Sequence, residues 1–170
     1  MNITFKKLHS EKDLKDLSIL AHRIWNDYYP SIIGQKQVDY MLERMYSIES
    51  LKEQIYNNEN IFVCTYYRDE MVGFISYSMT GDYDYIIHKL YVNTKIHRKG
   101  IGQKLIRHVF DKIKYKTIRL TVNRKNYKAV NFYFRMGFII EEVKDIDIGN
   151  GFYMNDFVML KVNPGIEKFS

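Results

Sequence analysis

Apolar residues recur along the chain with two different periods, and the switches between them lay out the elements. Ile3 to Leu8 reads as a first strand, and Ser10 with Asp13 three residues on resembles a helix-start signal. From Leu14 to Tyr28 the residues Leu14, Leu17, Leu20 or Ala21, Ile24 and Tyr28 share one helical face, and Pro30 stops the run. A second helix is expected from about Gln35 to Met45 with Val38, Met41, Leu42 and Met45 inward, then a shorter one with Leu51 and Ile55 four apart. Ile61 to Tyr67 and Met71 to Met79 are strands joined by the polar turn Arg68-Asp69-Glu70, a hairpin pattern. Tyr85 to Val92 predicts a buried central strand and Ile118 to Val122 a fifth. Phe138 to Val143 and Phe152 to Leu160 are the last two, joined through Gly149-Asn150-Gly151. No repeat, low-complexity stretch or internal linker interrupts the pattern, so residues 1–170 are expected to form a single domain of α/β class.

The centre of this pattern is Tyr85 to Ile113. A β-rich run leads through His97-Arg98-Lys99-Gly100-Ile101-Gly102 into an amphipathic helix with Ile101, Leu105, Ile106, Val109, Phe110 and Ile113 on one face. A glycine turn opening a helix suits an anion, because first-turn amides lack intrahelical partners and the helix dipole adds positive charge. The phosphate loop of nucleotide triphosphatases is excluded, since Gln103-Lys104 stands where Lys-Ser/Thr would follow. The dinucleotide fingerprint is excluded too, since it needs three glycines in another spacing.

The loop resembles the coenzyme A pyrophosphate loop of the GCN5-related N-acetyltransferases, Arg/Gln-x-x-G-x-G/A, with His97 in the first position as a departure. A second block, VNRKNYKAVNFYFRMGF from Val122 to Phe138, matches the pattern that follows the family's fifth strand. Asn126, Ala129, Phe132, Tyr133, Gly137 and Phe138 align position for position. Read physically, the block is a short helix with Asn126 as N-cap and Gly137 as its stop. The resemblance spans essentially the whole chain. It implies the acyl-CoA N-acyltransferase fold, a mixed sheet of about seven strands flanked by about four or five helices. It also implies that the fourth and fifth strands part to admit a thioester.

Composition narrows the function classes. The one cysteine, Cys64, lies in an apolar run and reads as a core residue, not a nucleophile; it fits a reducing compartment. The N-terminus lacks an apolar signal region and no run approaches membrane-span length, so a cytoplasmic protein without membrane association is expected. The five histidines show no metal-ligand spacing, and no metal is implied. A net charge of +6 suits solubility or a multiply charged anion such as coenzyme A, with Arg98, Lys99, Lys104 and Lys128 near the loop in sequence or pattern. Nucleic acid is not expected, for want of a dense basic stripe or a binding motif.

Amide formation from acetyl-CoA, the cosubstrate that the resemblance implies, makes three demands. The amine must be neutral, although an alkyl amine with a pKa of about 10.4 is mostly protonated at pH 7. The oxyanion needs a preorganised donor, and the departing thiolate needs a proton. The resemblance assigns the proton donor to Tyr133 and the oxyanion donor to the main-chain N–H of Leu90. It sets Leu90, Tyr91 and Val92 along the pantetheine arm and gives the phosphates to Arg98, Lys99, Gly100, Ile101, Gly102 and Gln103. Asn126 resembles the position that contacts the coenzyme arm, and it serves equally as a plain helix cap. His88 alternates with Leu90 and Val92 on the central strand and is a candidate base; a carbonyl-bonded structural histidine, Tyr133 in both roles, or water are the alternatives. His97 either meets a phosphate or is solvated.

On the acceptor side the first-helix tip offers Trp25, Tyr28 and Tyr29 as an aromatic wall, with Asn26 and Asp27 beside them and Gln37 and Tyr40 on the second helix. Such a wall suits a cationic amine, and the same residues also fit core packing. Asp82, Asp84 and Asp156 could greet a cation as well. The expected activity is acetyl transfer to a primary amine of a small molecule or peptide, by direct attack on the thioester. The rivals are a non-catalytic acyl-CoA-binding or sensing module, a nucleic-acid binder, and transfer to a hydroxyl or of a longer acyl chain. Many relatives dimerise, so a homodimer is among the expected assemblies.

Overall fold

The computed structural model describes residues 3–93, 95–96 and 100–165. Among them lie seven strands, β1 (Ile3–Lys7), β2 (Ile61–Tyr67), β3 (Glu70–Gly81), β4 (Asp84–Val92), β5 (Thr117–Asn123), β6 (Ile139–Gly149) and β7 (Phe152–Val162). Six helices accompany them: α1 (Glu11–Tyr28), α2 (Pro30–Ile33), α3 (Gln35–Tyr46), α4 (Ile48–Tyr56), α5 (Ile101–Phe110) and α6 (Tyr127–Arg135). The strand order is β1-β2-β3-β4-β5-β7-β6, the mixed sheet expected of the fold. The chain divides into two compact units, Met1–Ser78 with Lys89–Val109, and Met79–His88 with Phe110–Ser170.

In the first unit β1 and β2 pair antiparallel, Ile3 opposite Tyr67 and Lys7 opposite Val63. β2 turns into β3 through Arg68 and Asp69, whose φ of 49° and 62° give the hairpin twist that a two-residue loop needs. Glu70 is therefore the first residue of β3 and not part of the turn. Every residue of β3 from Met71 to Ser78 is buried, the mark of a strand covered on both faces. Helix α1 begins at Ser10, which accepts from the Asp13 amide at 3.1 Å while the Asp13 carboxylate accepts from the Ser10 amide at 3.1 Å. This reciprocal cap satisfies two first-turn donors, and Ser10→Ala is expected to cost about 1 kcal/mol in chemical denaturation. Burial tends to raise the Asp13 pKa, but the bonds from Ser10, His9 and Tyr66 prevail and hold the carboxyl below its usual range.

Pro30 does end α1, yet it also opens α2, standing at the helix start where its missing N–H costs nothing. This one-turn helix is the element beyond the four or five that the sequence suggested. The buried face of α3 is Val38, Met41, Leu42 and Tyr46, so the last inward position is Tyr46 and not Met45. Tyr46 lies one i,i+4 step beyond Leu42, and Met45 is only half-buried.

In the second unit β4 and β5 run parallel, from Asp84 opposite Thr117 to Ile87 opposite Leu120. β7 pairs antiparallel with both β5 and β6. The core here is Ile118, Leu120, Phe138 and Met159, each at most 1% exposed. β6 extends to Gly149, well past the expected Val143, and all of it is exposed except half-buried Ile148. Its register is broken near Glu141 and again near Ile148, and it carries Glu141, Glu142, Lys144, Asp145 and Asp147. Bulges and charges of this kind guard a strand edge against pairing with other chains.

Candidate active site

β4 carries two sets of side chains. Ile87, Lys89 and Tyr91 alternate on one face, while His88, Leu90 and Val92 take the other. His88 is exposed, and Leu90 and Val92 are half-buried. The end of the strand is fixed by its neighbour, because the Asn93 amide donates to Val72 O at 2.8 Å. Gly73 permits that approach: a Cβ at this position would stand 2.8 Å from Tyr91 O and 3.2 Å from Val92 Cγ2. Asn93 is buried, and its Oδ1 accepts from the Lys95 amide at 3.0 Å, closing the strand in an Asx turn.

Gly100 precedes α5, and its φ of 95° is the left-handed region that favours glycine. The first intrahelical bond runs from the Lys104 amide to Gly100 O at 2.9 Å, so the amides of Ile101, Gly102 and Gln103 precede the ladder. Ile101 is buried and anchors this turn. His97, Arg98 and Lys99 lie outside the described residues.

In the second unit Asn126 caps α6, its Oδ1 accepting from the Ala129 amide at 3.2 Å. Gly137, with φ 85°, turns the chain out of the helix, and the Phe138 amide returns to Tyr133 O at 3.1 Å. Tyr133 is buried, its ring edge-on to Phe132 at 5.3 Å and to Phe138 at 5.7 Å. Burial raises its pKa, so the phenol keeps its proton throughout the physiological range.

The α1 tip supplies aromatic surface in the first unit. Trp25 stacks on Tyr29 at 4.4 Å and lies 5.9 Å from Tyr91, while Tyr28 meets Tyr29 edge-on at 5.4 Å. Trp25 is buried and Tyr28 and Tyr29 are half-buried. Tyr46 joins the same cluster, 5.7 Å from Trp25 and 6.2 Å from Tyr91. Asp27 pairs with Lys95 at 2.7 Å, tying the α1 tip to the segment after β4.

Two further ionisable groups are buried on the strands. Lys89, 4% exposed, donates to Gln54 Oε1 at 2.6 Å, and burial pushes its pKa down to about 8. Asp156 on β7 is 3% exposed, and burial lifts its carboxyl to about 6 against the opposing pull of Thr121 and Arg124. Sequence reasoning missed Tyr46 and Lys89. The i,i+4 series Val38, Leu42, Tyr46 was the available signal for the first, and a lysine in phase with Ile87 and Tyr91 was the signal for the second. Cys64 is a buried thiol pushed up to about 12 mainly by burial, which leaves it inert as a nucleophile. Among the described residues no group of three or more His, Cys, Asp or Glu could hold a metal ion, and no helix is long and apolar enough to cross a membrane.

Strand, glycine turn and helix in this sheet order are those of the acyl-CoA N-acyltransferase fold. Residues 31–159 match the family model described as an acetyltransferase (GNAT) domain, and the chain belongs to that family. It is an acetyl-CoA-dependent N-acetyltransferase, with acetyl-CoA as cosubstrate. Among its relatives is a spermidine N(1)-acetyltransferase of Thermoplasma acidophilum, 27% identical over 154 residues that cover 86% of this chain and 94% of the relative. A spermine/spermidine N(1)-acetyltransferase of Bacillus subtilis is 28% identical over 117 residues, 62% of this chain and 75% of the relative. The crystal structure of the PaiA N-acetyltransferase of Thermoplasma acidophilum in complex with coenzyme A superposes with a TM-score of 0.79 at 26% identity, covering 96% and 100% of the two chains. Arabidopsis thaliana Naa50, solved with a bisubstrate analogue, shares the fold at a TM-score of 0.66 and 22% identity, over 96% and 100% of the chains.

Proposed function

We propose that the chain acetylates a primary amine of a polyamine of the spermidine or spermine type. The observation that carries this reading is the similarity to a spermidine N(1)-acetyltransferase over 94% of that protein's length. Residues of this chain lend it chemical sense. A net charge of +6 repels a polycation at long range, so recognition must come from local acids and π faces. Tyr28 and Tyr29 present half-buried rings, Trp25 braces Tyr29 from beneath, and Asp156 is a buried carboxyl in no salt bridge among the described residues.

In this reading the amides of Ile101, Gly102 and Gln103 hold the pyrophosphate, with Arg98 and Lys99 adding charge, and Gly100 shapes the turn. The backbone of Leu90, Tyr91 and Val92 pairs with the pantetheine arm, and the Leu90 N–H receives the oxyanion. Asn126 caps α6 and contacts the coenzyme arm. The neutral amine attacks the thioester carbonyl, its proton passes to His88 or to water, and Tyr133 protonates the departing thiolate. His88 is exposed enough to exchange that proton with solvent.

A coenzyme A release assay with acetyl-CoA tests the proposal against spermidine, spermine, putrescine, amino acids and peptide N-termini. Spermidine and spermine are expected to show the highest kcat/KM. Turnover confined to peptides would overturn the acceptor assignment. Acetyl-CoA binding without release on any amine would establish the sensing module instead.

A further inference from the structure

Lys89 breaks a rule that the rest of the core obeys. Its Nζ is enclosed by the Tyr46 ring at 5.5 Å and the Phe62 ring at 5.9 Å, with Gln54 Oε1 as hydrogen-bond partner. That oxygen is aimed inward because the Gln54 Nε2 is engaged elsewhere, donating to Met45 O at 2.9 Å and to Ser50 O at 3.1 Å. A carbonyl and two π faces accept an ammonium without neutralising it. Among the described residues no carboxylate lies within ion-pair distance of Nζ, and the Tyr46 phenol, whose ring it faces, is kept neutral by burial. Methionine or leucine would fill the same space without burying a charge. An ammonium retained at such a disadvantage calls for a role that needs the charge.

Leu90 follows Lys89 in the chain, their Cα atoms about 3.8 Å apart, so the ammonium lies one side-chain length from the Leu90 amide, on the opposite face of β4 from the Leu90 side chain. We propose that the buried Lys89 ammonium acts on acetyl transfer through its field, favouring the oxyanion that forms at the Leu90 amide and favouring the neutral form of the incoming amine. The inference rests on the proposed placement of the oxyanion at Leu90. Lys89 does not touch the reacting atoms; it is a positioning residue that sets potential instead of geometry, and the low dielectric around it preserves that potential.

Three variants test it, using acetyl-CoA and saturating spermidine. Lys89→Met is expected to lower kcat about tenfold or more while the KM for acetyl-CoA stays within about threefold. Gln54→Glu keeps the size of the side chain and neutralises the ammonium in place, at the cost of the donations to Met45 O and Ser50 O, and it should lower kcat similarly. Lys89→Arg keeps a charge that does not titrate, and should restore kcat to within about threefold of wild type. The pH profile gives an independent readout. Wild-type kcat should fall above a pH of about 8 as Lys89 loses its proton. That falling limb should vanish in Lys89→Met and Lys89→Arg and move upward in Gln54→Glu, where a carboxylate raises the amine pKa. Stability moves the other way. The unfolded lysine binds more protons above a pH of about 8, so the wild-type Tm rises from there toward about pH 10, and Lys89→Met abolishes the rise. An active wild type with unchanged kcat and pH profile in both Lys89→Met and Gln54→Glu would overturn this inference alone. A wild type inactive on every amine would overturn the proposed function instead.

Discussion

Tyr133→Phe is expected to lower kcat about 10²- to 10⁴-fold, the usual loss when a positioned acid is removed, with the KM for acetyl-CoA little changed. The ring supplies the packing against Phe132 and Phe138, and phenylalanine keeps that packing. Only the hydroxyl is lost, so stability in urea should shift by no more than about 1 kcal/mol. Burial keeps the phenol protonated, so a proton is available for the thiolate, while the same burial opposes its release. Steady-state coenzyme A release, paired with a denaturation curve on the same sample, separates the chemical loss from a folding loss. A variant that keeps wild-type kcat would hand the thiolate's proton to water.

Gly73→Ala should damage both folding and turnover. The added methyl would meet Tyr91 O at 2.8 Å and Val92 Cα at 3.4 Å, and both of these are backbone atoms that cannot swing aside. β4 would have to move, stretching the bond between the Asn93 amide and Val72 O. Overpacking of this kind costs about 1–3 kcal/mol. The moving segment is the one proposed to pair with pantetheine, and displacements of about 1 Å near a reacting centre can cost about 10²-fold. Urea denaturation should show the first loss, and kcat/KM for acetyl-CoA should fall about tenfold or more. A variant with wild-type values on both counts would show that β4 yields here at no cost.

Periodicity sufficed where an element buries one face. Ser10 with Asp13 marked the start of α1, Asn126 and Gly137 bracketed α6, and the Arg68-Asp69 turn sat between two β-rich runs. It failed where burial is absent or set by distant parts of the chain. The outer half of β6, Lys144 to Gly149, alternates only Ile146 and Ile148 with aspartates and borders solvent, so its strand character comes from the ladder with β7. The end of α3 turns on Tyr46 because Trp25, Phe74 and Tyr91 gather around it, and those partners come from three other elements. The Gly100 turn and the caps of α6 were readable because glycines and caps act locally, at fixed spacings. Lys89 was not, since a lysine in a strand ordinarily points to water, and only the convergence of Gln54, Tyr46 and Phe62 reveals that this one does not.

The single indole of the chain gives one half of the molecule its own lamp. Trp25 is shielded from water among Tyr29, Tyr46 and Tyr91, all within the unit that includes α1, α3 and the end of β4. Its emission therefore reddens when that unit opens and is silent about the other. Circular dichroism reports on both, so a denaturation followed by the two signals together would disclose whether the units melt in step.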